Sequence, residues 1–127
     1  MGFITSKAHT MIGLIVGLVL ILAPFLFGFS ENAPATMVPI IIGIFIIINE
    51  LITTSPASPI KLVPMKTHII IDVLTGTFLA VSPWLFGFFD TENPIQWVPH
   101  VLVGFLIIGY ALATTTTDER DTSIASS

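Results

Sequence analysis

Apolar residues run almost unbroken through four stretches of this chain, at about residues 9–29, 34–52, 68–89 and 94–113. Polar residues gather at the ends of these stretches and do not alternate along them. Residues 40–48 are continuously apolar, which argues against a transmembrane β-strand, where inward and outward positions alternate. At about 1.5 Å of rise per residue, roughly 20 helical residues cross a hydrocarbon core of about 30 Å. Each stretch reaches that length, the second only just. The pattern predicts an all-α membrane protein with four transmembrane helices.

The connections differ in chemistry. Residues 30–33 and 89–93 are short, acidic and free of Lys and Arg. Residues 53–67 form a proline-rich linker that carries Lys61 and Lys66, and residues 114–127 form a polar tail expected to be disordered. Asn93-Pro94 reads as an N-cap followed by proline at the first helical position, and Pro34 sits in the matching place. Gly28 and Gly87 are placed to act as left-handed C-terminal caps, and Pro24 and Pro83 lie about a turn earlier, where each should kink its helix. Lys7, Lys61, Lys66 and Arg120 all fall in the N-terminal segment, the central linker or the tail. The positive-inside rule therefore places both termini and the linker on the cytoplasmic side of a cytoplasmic (inner) membrane.

Composition sharpens this picture. Of 127 residues, 54% are hydrophobic and 9% charged, with a mean hydropathy of +0.98. A soluble domain carries roughly 25% charged residues, so most of this surface must face lipid. The net charge of −4 and the absence of a basic patch exclude a nucleic-acid role. The chain has no cysteine, which removes disulfides, thiolate nucleophiles, Cys-ligated zinc and iron–sulfur clusters. Lys7 and the apolar run after it superficially resemble a signal peptide. That run is longer than the roughly 7–15 residues of a signal core, however, and a near copy of it recurs inside the chain, so a retained span is expected.

The recurrence is an internal duplication. At an offset of 59, His9 meets His68, Ile12 meets Ile71, Gly17 meets Gly76 and Leu20 meets Leu79. APFLFGF at 23–29 then meets SPWLFGF at 82–88, and after short insertions Val38-Pro39 meets Val98-Pro99 and Gly43 meets Gly104. The units are 9–52 and 68–113. Two helices per unit make both enter the membrane in the same direction, as two parallel repeats about an axis along the membrane normal. Ser82-Pro83-Trp84 and its duplicate Ala23-Pro24-Phe25, each within a two-helix unit, resemble the SPW repeat family of small membrane-bound proteins. The second copy keeps the motif; the first departs from it at Ala23 and Phe25. The resemblance implies a membrane location and a two-helix repeat, and brings no catalytic residues with it.

Two groups of residues have chemical interest. The Ala23/Pro24/Phe25/Gly28 and Ser82/Pro83/Trp84/Gly87 elements could line a quinone or lipid pocket with Phe27 and Phe86. The favoured reading is an interfacial aromatic belt, joined by Trp97, with a proline kink and a glycine cap. Ser82 can bond back to a carbonyl of the preceding turn. The second group is His68 and Asp72, four apart on one helix face, with His9 in the matching place and Asn49 and Glu50 ending the second helix on the same side. His9, Asn49, Glu50, His68 and Asp72 could form a proton relay or ligate zinc or iron. The favoured reading puts them in the headgroup layer, paired with Lys7, Lys61 and Lys66, with Asp72 about one turn into its helix. His100, at the opposite face, has no assigned role.

No phosphate-binding glycine loop, Gly-x-Ser-x-Gly or His-Glu-x-x-His occurs. The expectation is a non-enzymatic protein with no catalytic residues, resident metal or cofactor. It would act as a scaffold or accessory subunit, with the lipid bilayer and itself or another membrane protein as partners. The alternative is a proton or small-ion pathway through the His/carboxylate cluster. Helix breaks confined to the helix ends count against transport.

Overall fold

The computed structural model describes residues 4–55 and 58–114. It contains four α-helices: α1 (Ser6–Leu26), α2 (Ala33–Leu51), α3 (Met65–Leu85) and α4 (Val98–Leu112). Among the described residues there is no strand, only two isolated parallel bridges, Ile4 with Thr114 and Thr53 with Val63. The helices α1, α2 and α3 hold 21, 19 and 21 residues and are long and apolar enough to cross a membrane. Of the tail expected to be disordered, residues 114–127, Thr114 is instead buried and hydrogen-bonded, and residues 115–127 lie outside the described residues.

Helix α1 packs along α2, and α3 along α4, giving two hairpins; α2 also touches α3, and α1 touches α4. Each hairpin closes on a pair of glycines. A Cβ at Gly17 would lie 2.9 Å from the Gly43 carbonyl oxygen, and one at Gly76 would lie 2.7 Å from that of Gly104. In both pairs the backbones meet where any side chain would hold them apart. Leu20, Ile46, Leu79 and Ile107 fill the centre, while Ile15, Leu18, Leu74, Leu102 and Phe105 point outward, as a lipid-facing surface requires. Ile47 beside the first glycine pair corresponds to Ile108 beside the second, and Ile21 to Ala80, in lining the crossing.

Helix ends follow the glycines. Gly28 and Gly87 have φ of +77° and +72°. Beyond them the Phe29 N–H donates to the Pro24 carbonyl at 2.9 Å, and the Phe88 N–H to that of Pro83 at 2.8 Å. Both ends are Schellman closures whose trailing phenylalanine is buried.

Three expectations are corrected. The helices α1 and α3 start a turn earlier than the apolar runs, at Ser6 and Met65. Thr5 caps α1 through its side chain, whereas Pro64 precedes α3 with no side-chain cap at all. Asp72 consequently lies two turns into α3, not one. The fourth helix is also shorter than the predicted 94–113. Pro94–Gln96 forms a 3-10 turn with Asn93 making no cap bond, and α4 restarts at Val98 for 15 residues, about 22 Å of helix. Pro99 explains the restart: it supplies no N–H for the carbonyl four residues back, so it sits best in a first turn. Asn32, by contrast, accepts from the Ala35 N–H and caps α2.

Helix α2 runs straight through the equivalent Pro39, which leaves the Ala35 carbonyl without its helical donor. His100 replaces it: Nε2–H donates to Ala35 O at 2.7 Å. His100 is fully buried between Phe29 and Phe88, with ring centroids 5.2 and 4.7 Å away. It has a role after all, as the donor that lets α2 tolerate a proline.

Candidate functional site: a buried histidine–carboxylate cluster

At the end of the molecule opposite the Schellman closures, four ionisable side chains converge. His9 comes from the first turn of α1, Glu50 from the last turn of α2, and His68 and Asp72 from α3. All four are buried, at 0–1% exposure. His9 Nε2 lies 2.7 Å from Asp72 Oδ2 and 3.6 Å from Glu50 Oε2, and His68 Nε2 lies 3.1 Å from each of the same two oxygens. Each imidazole therefore faces both carboxylates. The rings of His9 and His68 meet edge to face, with centroids 5.0 Å apart.

The far sides of the two rings are held alike. His9 Nδ1–H donates to Thr114 Oγ1 at 2.7 Å, and Thr114 passes its own proton to the Tyr110 carbonyl at 2.6 Å. His68 Nδ1–H donates to Thr53 Oγ1, whose proton goes to the Asn49 carbonyl. A threonine that has given its hydroxyl proton to a carbonyl can only accept from the ring. Both rings thus carry a proton on Nδ1 and turn Nε2 to the centre. The bonding crosses between hairpins: α1 is tied to the end of α4, and α3 to the end of α2.

The carboxylates are placed asymmetrically. Asp72 stands at the position matching Gly13, and Glu50 at the position matching Ala111. A Cβ at Gly13 would overlap the Glu50 carboxylate. Each hairpin contributes one carboxylate, the first from its second helix and the second from its first, and the bare glycine makes room for the longer one.

The pairing with lysine expected from sequence is corrected. Lys7, Lys61 and Lys66 are exposed, and Lys61 donates to the carbonyls of Ser55 and Ser58 at 2.8 and 2.6 Å. Among the described residues, each ion pair to Asp72 or Glu50 comes from a histidine. Helix α3 starting at Met65 carries Asp72 inward, beyond the reach of a surface ammonium. Asn49 lies beside the cluster, buried, with Nδ2 unpartnered, and is not one of the converging groups. Thr53, Thr114 and Tyr110 were not picked out from sequence. Carrying the repeat alignment past Gly43 and Gly104 brings Thr53 onto Thr114, the signal that could have found them. His9, Glu50, His68 and Asp72 each offer one ligand atom, all within 4.8 Å of one another, so these four could hold a metal ion.

At the other end, Ser82 Oγ donates to the Leu79 carbonyl at 2.7 Å. That carbonyl is the one Pro83 leaves without a helical donor, so the serine hydroxyl stands in for the missing N–H. Ala23 has no hydroxyl to do the same for Leu20. Trp84 is half exposed and stacks on Phe89 at 5.1 Å, with Trp97 at 5.9 Å. Trp97 Nε1–H in turn donates to the Asp90 carbonyl at 2.7 Å. Phe25, Phe27 and Phe86 are exposed at the same end, and Phe86 lies against Phe78. A model of the SPW repeat domain matches residues 7–114. The chain belongs to the SPW repeat family. No match to a curated protein or to a solved structure was found. The SPW repeat match and the apolar helices together make this a small integral membrane protein. The matched span takes in both the Ser-Pro-Trp element and the whole cluster from His9 to Thr114. In SPW repeat terms, the motif that names the family lies at one end of the helices and the ionisable chemistry at the other.

Proposed function

We propose that this protein takes up a small cation, a proton or a metal ion, at the His9/Glu50/His68/Asp72 cluster, and that it works by binding and not by catalysis. The single observation that carries this reading is the convergence of two Nε2 atoms and two carboxylates in a site with no exposure. Ionisable groups within membrane helices are costly, and where they occur they mark ion and proton paths. The scaffold reading pairs these carboxylates with lysines, whereas their ion pairs run to His9 and His68. A binding role also suits the hydroxyls present: Thr53 and Thr114 have committed their protons to backbone carbonyls and are poor nucleophiles.

The architecture we propose is a four-helix bundle of two parallel two-helix repeats, with both termini cytoplasmic in the inner membrane. Support comes from the matched glycine crossings, matched Schellman closures, matched Thr–His bonds and matched bridges. Lipid is the surrounding partner; a second copy or another membrane protein remains the partner class to test by co-purification. A scaffold is the second reading. It draws on the bonds that lace the hairpins together, His9 to Thr114 at one end and Asn32 to Gln96, 3.1 Å apart, at the other.

Proton flux into vesicles carrying the purified protein, wild type against Asp72→Asn, tests the choice, with thermal stability in detergent as the control. Flux in wild type and its loss in a folded variant supports cation handling. No flux and no cation binding in wild type, with a destabilised variant, leaves the scaffold.

A further inference from the structure

We infer that the cluster is a binding site for one first-row divalent metal ion, of the zinc type, held by His9 Nε2, His68 Nε2, Asp72 Oδ2 and Glu50 Oε2. This deepens the cation reading above and rests on it. Zinc bonds to imidazole nitrogen and carboxylate oxygen at about 2.0–2.2 Å, so ligand atoms at the corners of a tetrahedron stand about 3.3 Å apart. Four of the six edges, the nitrogen–oxygen separations, are 2.7, 3.1, 3.1 and 3.6 Å and bracket that value; the other two, nitrogen to nitrogen and oxygen to oxygen, lie within 4.8 Å and have to close on the ion. Small movements of the side chains, without rebuilding of helices, would complete the shell.

The groups behind the ligands point the same way. Metal-bound histidines characteristically give their other ring N–H to an oxygen acceptor, which fixes tautomer and ring orientation. Thr114 and Thr53 do this for His9 and His68, and each threonine is itself anchored to a backbone carbonyl. Glu50 supplies an independent observation. Its side chain is fully buried, and Oε1 has no hydrogen-bond partner, which leaves a second oxygen at the site to close on an ion. The Tyr110 ring packs against His9 with centroids 5.0 Å apart and walls the site on that side. Charge decides the valence. Without a metal the four groups balance as two imidazolium–carboxylate pairs; a divalent ion that displaces the two Nε2 protons leaves two neutral imidazoles and two carboxylates, and the buried centre is again at zero. Two imidazoles with two carboxylates suit zinc or iron better than magnesium or calcium, which favour all-oxygen shells.

The experiment uses the full chain in mild detergent, stripped with a chelator, then reloaded with Zn²⁺ and, separately, Co²⁺. The expected result is one Zn²⁺ per chain by elemental analysis, and an intense visible spectrum for the Co²⁺ form, the signature of a tetrahedral site. His9→Ala should abolish both signals, and Glu92→Gln in the exposed acidic loop should change neither. Because His9→Ala could fail to fold, Thr114→Val provides the milder test. It leaves all four ligands in place, and removal of a ligand's supporting partner should weaken Zn²⁺ binding about 10–100-fold. Absence of stoichiometric Zn²⁺ from the folded wild-type protein would overturn the inference. So would Zn²⁺ binding of undiminished strength in folded His9→Ala and Thr114→Val. Proton flux that persists without metal binding would overturn the metal inference alone and leave the cation reading standing; the loss of both would end both.

Discussion

Gly13 and Asp72 fall at the same position when the two helix hairpins are aligned by sequence, yet one holds space open and the other fills it. The Asp72 carboxylate meets His9 at 2.7 Å, while a side chain at Gly13 would collide with Glu50. The two carboxylates of the cluster are thus alternatives in position, and each hairpin carries one.

The swap can be made in the laboratory. Gly13→Asp alone forces a third carboxylate against Glu50 and should cost several kcal/mol, in the range for an uncompensated buried charge. Adding Glu50→Ala recreates in the first hairpin the Asp72/Ala111 arrangement of the second. Thermal unfolding in detergent should show the double variant recovering most of the loss. If it unfolds no later than Gly13→Asp alone, the two positions are not equivalent.

Removing one partner of the cluster isolates its energetics. Asp72→Ala leaves His9 and His68 facing a single carboxylate and should destabilise the protein by about 3–5 kcal/mol. Asp72→Asn keeps the size and part of the hydrogen bonding and should cost less. Unfolding midpoints for the pair check the order; equal stability of Asp72→Ala and wild type would show that the cluster does not hold the hairpins together.

His100→Ala should cost about 1–3 kcal/mol, because it strands the buried Ala35 carbonyl that Pro39 already denies a helical donor. Replacing Pro39 by Ala in the same chain returns that donor. The double variant Pro39→Ala/His100→Ala should therefore lose less than His100→Ala alone, measured by the same melts.

The motif residues make a paired prediction. Ser82→Ala removes the donor to the Leu79 carbonyl and should destabilise by about 1 kcal/mol. Ala23→Ser offers the matching donor to Leu20 in the first repeat and should be neutral or stabilising by a similar amount. Opposite signs in chemical unfolding would establish the hydroxyl as a substitute for the proline N–H.

What could be read from sequence depended on how local the cause was. The long spans, the glycine caps and the shared face of His68 and Asp72 rest on neighbours within a turn or two, and the spans and caps appear twice along the chain. Depth was misjudged because Pro64 leaves no side-chain cap to mark where α3 begins, so Lys66 and Thr67 looked like loop. Asn93-Pro94 looked like a helix start because its own residues fit an N-cap and first turn, but the demand made by Pro99, five residues later, outweighs it. The partners of His9 and His100 lie 105 and 65 residues away, and no local pattern announces them. Thr114 was further hidden as the first of four consecutive threonines.

The bond between His9 and Thr114 also sets an order of events during synthesis. His9 leaves the ribosome 105 residues before its threonine, which at about 5–20 residues per second is a wait of roughly 5–20 s. For the first 63 of those residues the first hairpin carries His9 without Asp72, and until the end it lacks Thr114. Nascent α1 and α2 must either linger beside the insertion machinery or keep His9 at the wet edge of the bilayer until α4 arrives. A truncated chain ending before α4 would be held in that waiting state, a natural target for membrane quality control.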